Sequence, residues 1–387
     1  MKEIKLMKER GSGQCRHFHG NSYGTGAMPI MAGMDIIMDI DKILNSKENF
    51  RGVTMFERME KWNIPGVSFT IIRNGDIAAS YTYGRKKRYD KEPVTVQTMF
   101  QAASVSKPIF ATAVMRLAEQ KILDIDTNIN QYLKGYHVPT FDGKEYAITL
   151  RRILSHTAGL NIHGFPGYHH EQKIPTLMQI LEGKRPANTD ELFVFKEPGK
   201  EFCYSGGGYV LAQKVVCDIL NKDFEEIMQE TVLQPFGMKD STYLQPLPKD
   251  KEANIAYGID SHGLQIKKGY CIMPELSAAG LWTTPNDLAA YGIEMMKALK
   301  GDSKLVKKET AQAMINPVTP ACGLGLFLGE QDGVKYFGHR GWNTGFNSGM
   351  SFFPQNGDGI AVMVNSDRGD PFVTMLMEAI IKSFDYC

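Results

Sequence analysis

The segment Ser104-Val105-Ser106-Lys107, within QAASVSKPIFATAV, sets a hydroxyl and an amine three residues apart where an apolar-periodic stretch begins. On the first turn of a helix, residues at this spacing share one face, so the Lys107 amine would reach the Ser104 oxygen. The position has two further advantages. The positive end of the helix dipole favours a developing alkoxide, and the serine's own N–H is an orphan donor, free to bind an oxyanion. A lysine of depressed pKa can take the serine proton. Pro108 is tolerated because first-turn N–H groups lack intrahelical partners. The chemistry implied is acyl transfer to serine. A Ser-x-x-Lys tetrad arises by chance about once in such a chain, so alone it reads as a capping serine beside a solvated lysine.

Other reactive side chains point nowhere specific. Cys15, His17 and His19 form one cluster, and His163, His169 and His170 another, in the stretch NIHGFPGYHH. Neither has a zinc spacing with a matching fourth ligand, so both read as solvated loops. Gly206-Gly207-Gly208 lacks the lysine and serine or threonine of a phosphate loop. The six cysteines (Cys15, Cys203, Cys217, Cys271, Cys322 and Cys387) form no C-x-x-C pair. They are expected to be reduced and mostly buried, Cys203 included. No metal and no cofactor are expected.

The elements that must carry this chemistry follow from patterning. The chain has 387 residues, 43% hydrophobic and 22% charged, which is ordinary for a globular protein and excludes disordered, collagen-like and coiled-coil classes. Its 44 basic and 43 acidic residues leave a net charge of +1, so no global field would attract nucleic acid or an anionic membrane. No apolar run reaches the ~18 residues of a membrane span. AMPIMAGMDIIMDI near the start matches an export signal only in part, and a cytoplasmic protein is expected.

Residues 1–47 are read as an extension rich in Gly, Met and charge, and residues 48–387 as one domain. Helical spacing of Phe50, Met55, Met59 and Trp62 is followed by a hairpin about Asn74-Gly75. Ile109, Phe110, Ala113, Val114, Leu117 and Ala118 form an apolar helical stripe. Asp223 and Glu226 suggest a capping box. Thr284-Pro285-x-Asp287 opens a helix that Gly301 closes. The last ~65 residues hold the strand-like runs CGLGLFLG, VKYFGH, NSGMSFFP and GIAVMVNS, and then an amphipathic helix. Strands at both ends and helices between them imply an α+β fold. One antiparallel sheet would be built from residues 48–100 and 300–387, with a mainly helical region, 101–299, inserted.

Six stretches, in order, resemble the serine β-lactamase and penicillin-binding-protein superfamily. They are SVSKPIFATAV, ITLRRILSHTAGL, FCYSGGGYVLAQ, QPFGMKDSTY, PELSAAGLWTTPNDLAAY and GHRGWNTGF. The likeness spans roughly residues 50–385 and is nearest the branch of class C β-lactamases, family VIII carboxylesterases and D-stereospecific peptidases. It implies a sheet packed between helices, with a site at the junction with the helical region. By resemblance Ser104 is the nucleophile and Lys107 its base. Tyr204 would be a proton shuttle whose phenolate needs cations around it, with Lys107 supplying one charge and His339 a possible second. His339-Arg340-Gly341 would lie on a strand lining the site. Gly341 would permit close approach, and the Trp342 N–H would be the second oxyanion donor beside that of Ser104. Trp342 is open between an acyl-pocket wall and a structural aromatic. The resemblance makes His156 in LSHTAGL structural, at a helix end capped by Gly159.

Two departures shape the expected activity. His339 stands where many β-lactamases carry a lysine, which weakens the hold on a β-lactam carboxylate. Gly206 stands where the family's Tyr-x-Asn motif has its asparagine, leaving a gap for water or another side chain. Both favour small esters as substrates, then D-amino-acid-containing peptides, then β-lactams. A catalytically weak penicillin-binding sensor and an acyltransferase are the alternatives, and the oligomeric state is left open.

Overall fold

The computed structural model describes residues 40–384. The segment AMPIMAGMDIIMDI, the Cys15-His17-His19 cluster and Cys387 therefore lie outside the described residues, apart from Ile40.

Six strands form one antiparallel sheet: β1 (Gly66–Arg73), β2 (Asp76–Gly84), β5 (Phe327–Gln331), β6 (Val334–Asn343), β7 (Phe346–Phe353) and β8 (Asp358–Val364). Their order is β2-β1-β8-β7-β6-β5, so the two ends of the chain meet at the β1–β8 pairing. The β1–β2 turn is the expected one. Arg73 pairs with Asp76, and Asn74 and Gly75 between them have φ of 54° and 84°. Two consecutive left-handed residues suit the twist of a tight hairpin, and asparagine and glycine are the residues that adopt them most readily.

Strands β7 and β8 are buried along their whole length, because helices cover both faces of the sheet. Helix Pro285–Lys300 packs on one face and helix Asp370–Lys382 on the other. The first is capped by Thr284, which accepts from the Asp287 N–H, and is closed by Gly301 at φ 90°, as its sequence signals require. The second face carries its own core, where Phe69, Val362, Phe372 and Leu376 pack with Met55 and Met59 of helix Met55–Lys61. Leu44, on helix Ile40–Asn45, is buried in that core, so residues 40–45, inside the expected extension, pack on the domain.

Helix Ser106–Glu119 departs from its expected single stripe. Ala111, Thr112 and Met115 are buried as well as the stripe residues other than half-buried Ala118, because the helix runs through the centre of the main core. The Asp223–Glu226 capping box does not form. Asp223 is the N-cap of Phe224–Met228 but makes no side-chain cap bond, and Glu226 pairs with Lys222 instead.

A two-stranded pairing joins the inserted region to the site: β3 (Phe100–Gln101) with β4 (Trp282–Thr283). Ala102 N–H donates to Leu281 O at 2.8 Å, and Ser106 Oγ accepts from Leu281 N–H at 3.0 Å while donating to Ala103 O at 2.6 Å. The second serine of the Ser-x-x-Lys segment is thus fully used in holding the first in place.

Candidate active site

Ser104 lies on a short 3-10 turn, Ala103–Val105, that runs directly into helix Ser106–Glu119. Ala103, just before it, is held at φ 50°. A non-glycine residue in the left-handed region costs roughly 1–2 kcal/mol. This strain presents the Ser104 hydroxyl to a cleft of about 600 Å³. Lys107 follows one turn on. Its Nζ is 3.1 Å from Ser104 Oγ and donates to Ala278 O at 2.7 Å. Burial, with no acidic neighbour to offset it, pulls the Lys107 amine down to about 7. A lysine so placed is part neutral near neutral pH and can accept a proton from the serine.

Tyr204 sits between Cys203 and the helix Gly206–Leu220, whose N-cap Ser205 accepts from the Gly208 N–H at 2.9 Å. The Lys107 Nζ is 5.1 Å from the centre of the Tyr204 ring. Burial pushes the phenol up to about 12, against a hydrogen bond to the Ser104 side chain that favours the anion. Burial thus favours the neutral phenol at Tyr204, a form able to donate a proton.

Burial also disfavours the possible second charge, at His339. His339 is 4% exposed, and burial, with Lys107 nearby, takes its imidazole down to about 3. Its Nδ1 donates to Arg340 O at 2.6 Å, which leaves Nε2 as an acceptor. Arg340 offers no replacement. Its guanidinium turns away to Asp370 Oδ1 and Thr374 Oγ1, each at 2.8 Å.

Strand β6 lies directly against the serine turn. A β-carbon built on Gly341 would be 2.2 Å from Ala102 O and 3.1 Å from Ser104 N. Those are backbone atoms that cannot give way, so only glycine allows this approach. Trp342 is 57% exposed, lines the cleft and donates from Nε1 to Asp367 Oδ1 at 3.1 Å. It is a wall of the cleft, not a packed core aromatic.

The loop read as solvated does expose His163 and His169, and it also lines the cleft. His163, Gly164, Phe165 and Pro166 form one side of the cleft. A β-carbon on Gly206 would be 3.0 Å from both His163 O and the Phe165 ring. The space left by the missing asparagine is thus occupied by this loop, and Lys107 takes the Ala278 carbonyl as its second partner. His163 is exposed, its ring 4.9 Å from that of Tyr204. His169 approaches Cys271, and His170 packs edge-on to Tyr270. Cys203 is half-buried rather than buried. Phe165 and Phe327 carry no signal in residue spacing and enter the cleft through folding alone.

Helix Leu150–Leu154 is not capped by Gly159. His156 itself takes the left-handed position after the C-cap, at φ 57°. Gly159 is needed elsewhere, because a β-carbon there would lie 2.1 Å from Lys196 O.

A model of the Beta-lactamase family matches residues 54–382. The chain belongs to that family. Protein flp of Staphylococcus aureus (strain MW2) is 22% identical over 312 residues, 79% of this chain and 61% of that protein. The chain thus spans about three fifths of the length of that curated relative. Among solved structures, the octameric penicillin-binding protein homologue from Pyrococcus abyssi superposes with a TM-score of 0.74 at 24% identity, covering 89% of this chain and 78% of that one. The D-amino acid amidase from Ochrobactrum anthropi SV3 gives 0.69 at 21%, covering 90% and 100%. These likenesses bear out the α+β fold and the expected superfamily. No helix among the described residues is long and apolar enough to cross a membrane.

One buried acid lies just before the helix that faces Lys107. Glu275 caps the short helix Leu276–Ala279 that presents the Ala278 carbonyl to Lys107. Its side chain is 0% exposed, and neither carboxyl oxygen has a protein partner. Burial raises it to about 8. Between its ordinary value and about 8, the folded chain holds a proton that the unfolded chain releases, so stability falls as pH rises through that window. Glu275→Gln is expected to raise the unfolding temperature by several degrees at pH 8 and by nothing measurable near pH 4. Scanning calorimetry at both pH values is the check.

Proposed function

We propose that this chain is a serine hydrolase that forms an acyl-enzyme through Ser104, acting on small esters and, next, on amides of D-amino acids. The observation that carries the reading is the buried Lys107 amine, 3.1 Å from Ser104 Oγ. In this reading the neutral amine takes the Oγ proton as Oγ bonds to the substrate carbonyl carbon. The N–H groups of Ser104 and Trp342 hold the oxyanion. Tyr204 gives its proton to the leaving oxygen or nitrogen and regains one from Lys107. Water then attacks the acyl carbon as it loses a proton to the same pair, the acyl–Oγ bond breaks, and the pair returns that proton to Ser104 Oγ.

The walls of the cleft support the substrate class. Phe165, Pro166, Phe327 and Trp342 give it an apolar lining. Among the described residues that line it, Lys107 is engaged with Ser104 and Ala278, Arg340 is turned to Asp370, and burial disfavours a charge on His339. A β-lactam or a peptide C-terminus would bring a carboxylate into a site whose Lys107 and Arg340 are already engaged. We expect kcat/KM to be highest for p-nitrophenyl butyrate and measurable for D-phenylalanine amide, and at least about tenfold lower for a cephalosporin than for the ester. Preference for the cephalosporin over the ester would overturn this order.

A further inference from the structure

His156 ends helix Leu150–Leu154 in an unusual way. Thr157 N–H donates to Arg152 O at 2.7 Å and His156 N–H to Ile153 O at 3.0 Å. This pair of bonds closes a helix when the residue after the C-cap is left-handed, a place that glycine fills most often. A β-carbon is penalised there, yet this chain keeps an imidazole at φ 57°. Closing the helix does not account for that choice, so the reason must lie in what the side chain touches.

What it touches is the chain around Tyr204. The His156 carbonyl accepts from the Cys203 N–H at 2.7 Å, and its ring Nδ1 accepts from the Ser205 N–H at 3.1 Å. These are the residues immediately before and after the tyrosine. The imidazole also stacks on the Tyr204 ring, with centres 4.2 Å apart and planes 29° from parallel. One residue thus holds Tyr204 at both backbone flanks and on one face. Since Nδ1 accepts, the ring proton is on Nε2. Burial keeps the imidazole neutral, and Lys107, His339 and His163, which face it, act in the same direction.

We infer that His156 is a positioning residue for Tyr204, fixing the phenol toward Ser104 through two hydrogen bonds and a ring stack. The inference rests on the reading of Tyr204 as the proton relay. His156 makes no contact with Ser104 among the bonds described, and it acts through the tyrosine alone.

The test is a double-mutant cycle on the full chain with p-nitrophenyl butyrate. His156→Asn suits the left-handed backbone and removes the ring. It should unfold cooperatively and take up a fluorophosphonate at Ser104 to full stoichiometry. We expect kcat to fall at least about tenfold with KM within about twofold, the pattern of an interaction used in the transition state. In a Tyr204→Phe background the same change should cost less than about twofold. Equal losses in both backgrounds, or an unchanged kcat, would overturn the inference and leave the hydrolase reading standing. A wild-type kcat for Tyr204→Phe would remove the relay reading and this inference together, while fluorophosphonate labelling would still report on Ser104. Should His156→Asn not fold, His156→Gly suits the left-handed backbone best and removes the whole ring, and its cycle is read in the same way.

Discussion

Ser104→Ala is expected to lower kcat/KM for p-nitrophenyl butyrate by about 10³-fold or more, with no loss of folded protein. Removing a nucleophile leaves only the rate that binding and oxyanion donors can supply without it. The change is mild for the fold because Ser104 is only half-buried. The neighbouring turn is held by Ser106, whose hydroxyl bridges Ala103 O and Leu281 N–H. Thermal unfolding should therefore match wild type, and mass mapping of a fluorophosphonate adduct should find the label on the peptide containing Ser104 in wild type and nowhere in the variant. A variant that hydrolyses the ester at the wild-type rate would remove the assignment.

Lys107→Met should cost a similar factor in rate and yet make the protein more stable. The amine is 2% exposed, and burial brings its pKa from the usual lysine value to about 7. In the unfolded chain it stays protonated up to its ordinary value. Between about 7 and that value the unfolded state binds the extra proton, so wild-type stability rises with pH across this window. Methionine fills similar space without the ionisable group. Its unfolding temperature should exceed that of wild type by several degrees at pH 7, and the gap should narrow by pH 10. The rate has a matching signature. Only the neutral amine can accept the Ser104 proton, so wild-type kcat/KM should climb through a pKa near 7 and level off above it. Lys107→Arg, which keeps a permanent charge, should be inactive across the range. A flat wild-type profile between pH 6 and 8 would sink the role of Lys107 as base.

Much of the architecture was legible because local rules carried it. Asn74-Gly75 specifies a tight hairpin, and Thr284-Pro285 with Gly301 brackets a helix, each by constraints on a few residues. The Asp223–Glu226 signal failed for a reason of the same scale. Lys222 is close enough to draw Glu226 into an ion pair, so the box never closes. The single apolar stripe expected on helix Ser106–Glu119 undercounted its burial. Small residues such as Ala111 and a hydroxyl such as Thr112 can be buried as readily as large apolar ones once the helix is surrounded.

The candidate site divides along a similar line. Three-residue spacing places Lys107 over Ser104 on a helical turn whatever surrounds them, and the order of the motifs brought Tyr204, His339 and Gly341 into consideration. Their protonation states were beyond reach. The phenol of Tyr204 and the neutral imidazole of His339 follow from desolvation, which depends on how completely distant segments close over them. The loop that holds His163 and Phe165 shows the same limit, because nothing in NIHGFPGYHH says that it will pack on Gly206.

By itself, then, the order of residues determined which groups could react and the strands and helices that carry them, since spacing and turn chemistry act within a few residues. Only the tertiary structure decided which of those groups are desolvated, which backbone faces the serine, and that His156 bonds to the residues on either side of Tyr204. Burial and contact between segments far apart in the chain set those properties, and neither exists until the sheet closes on the helices.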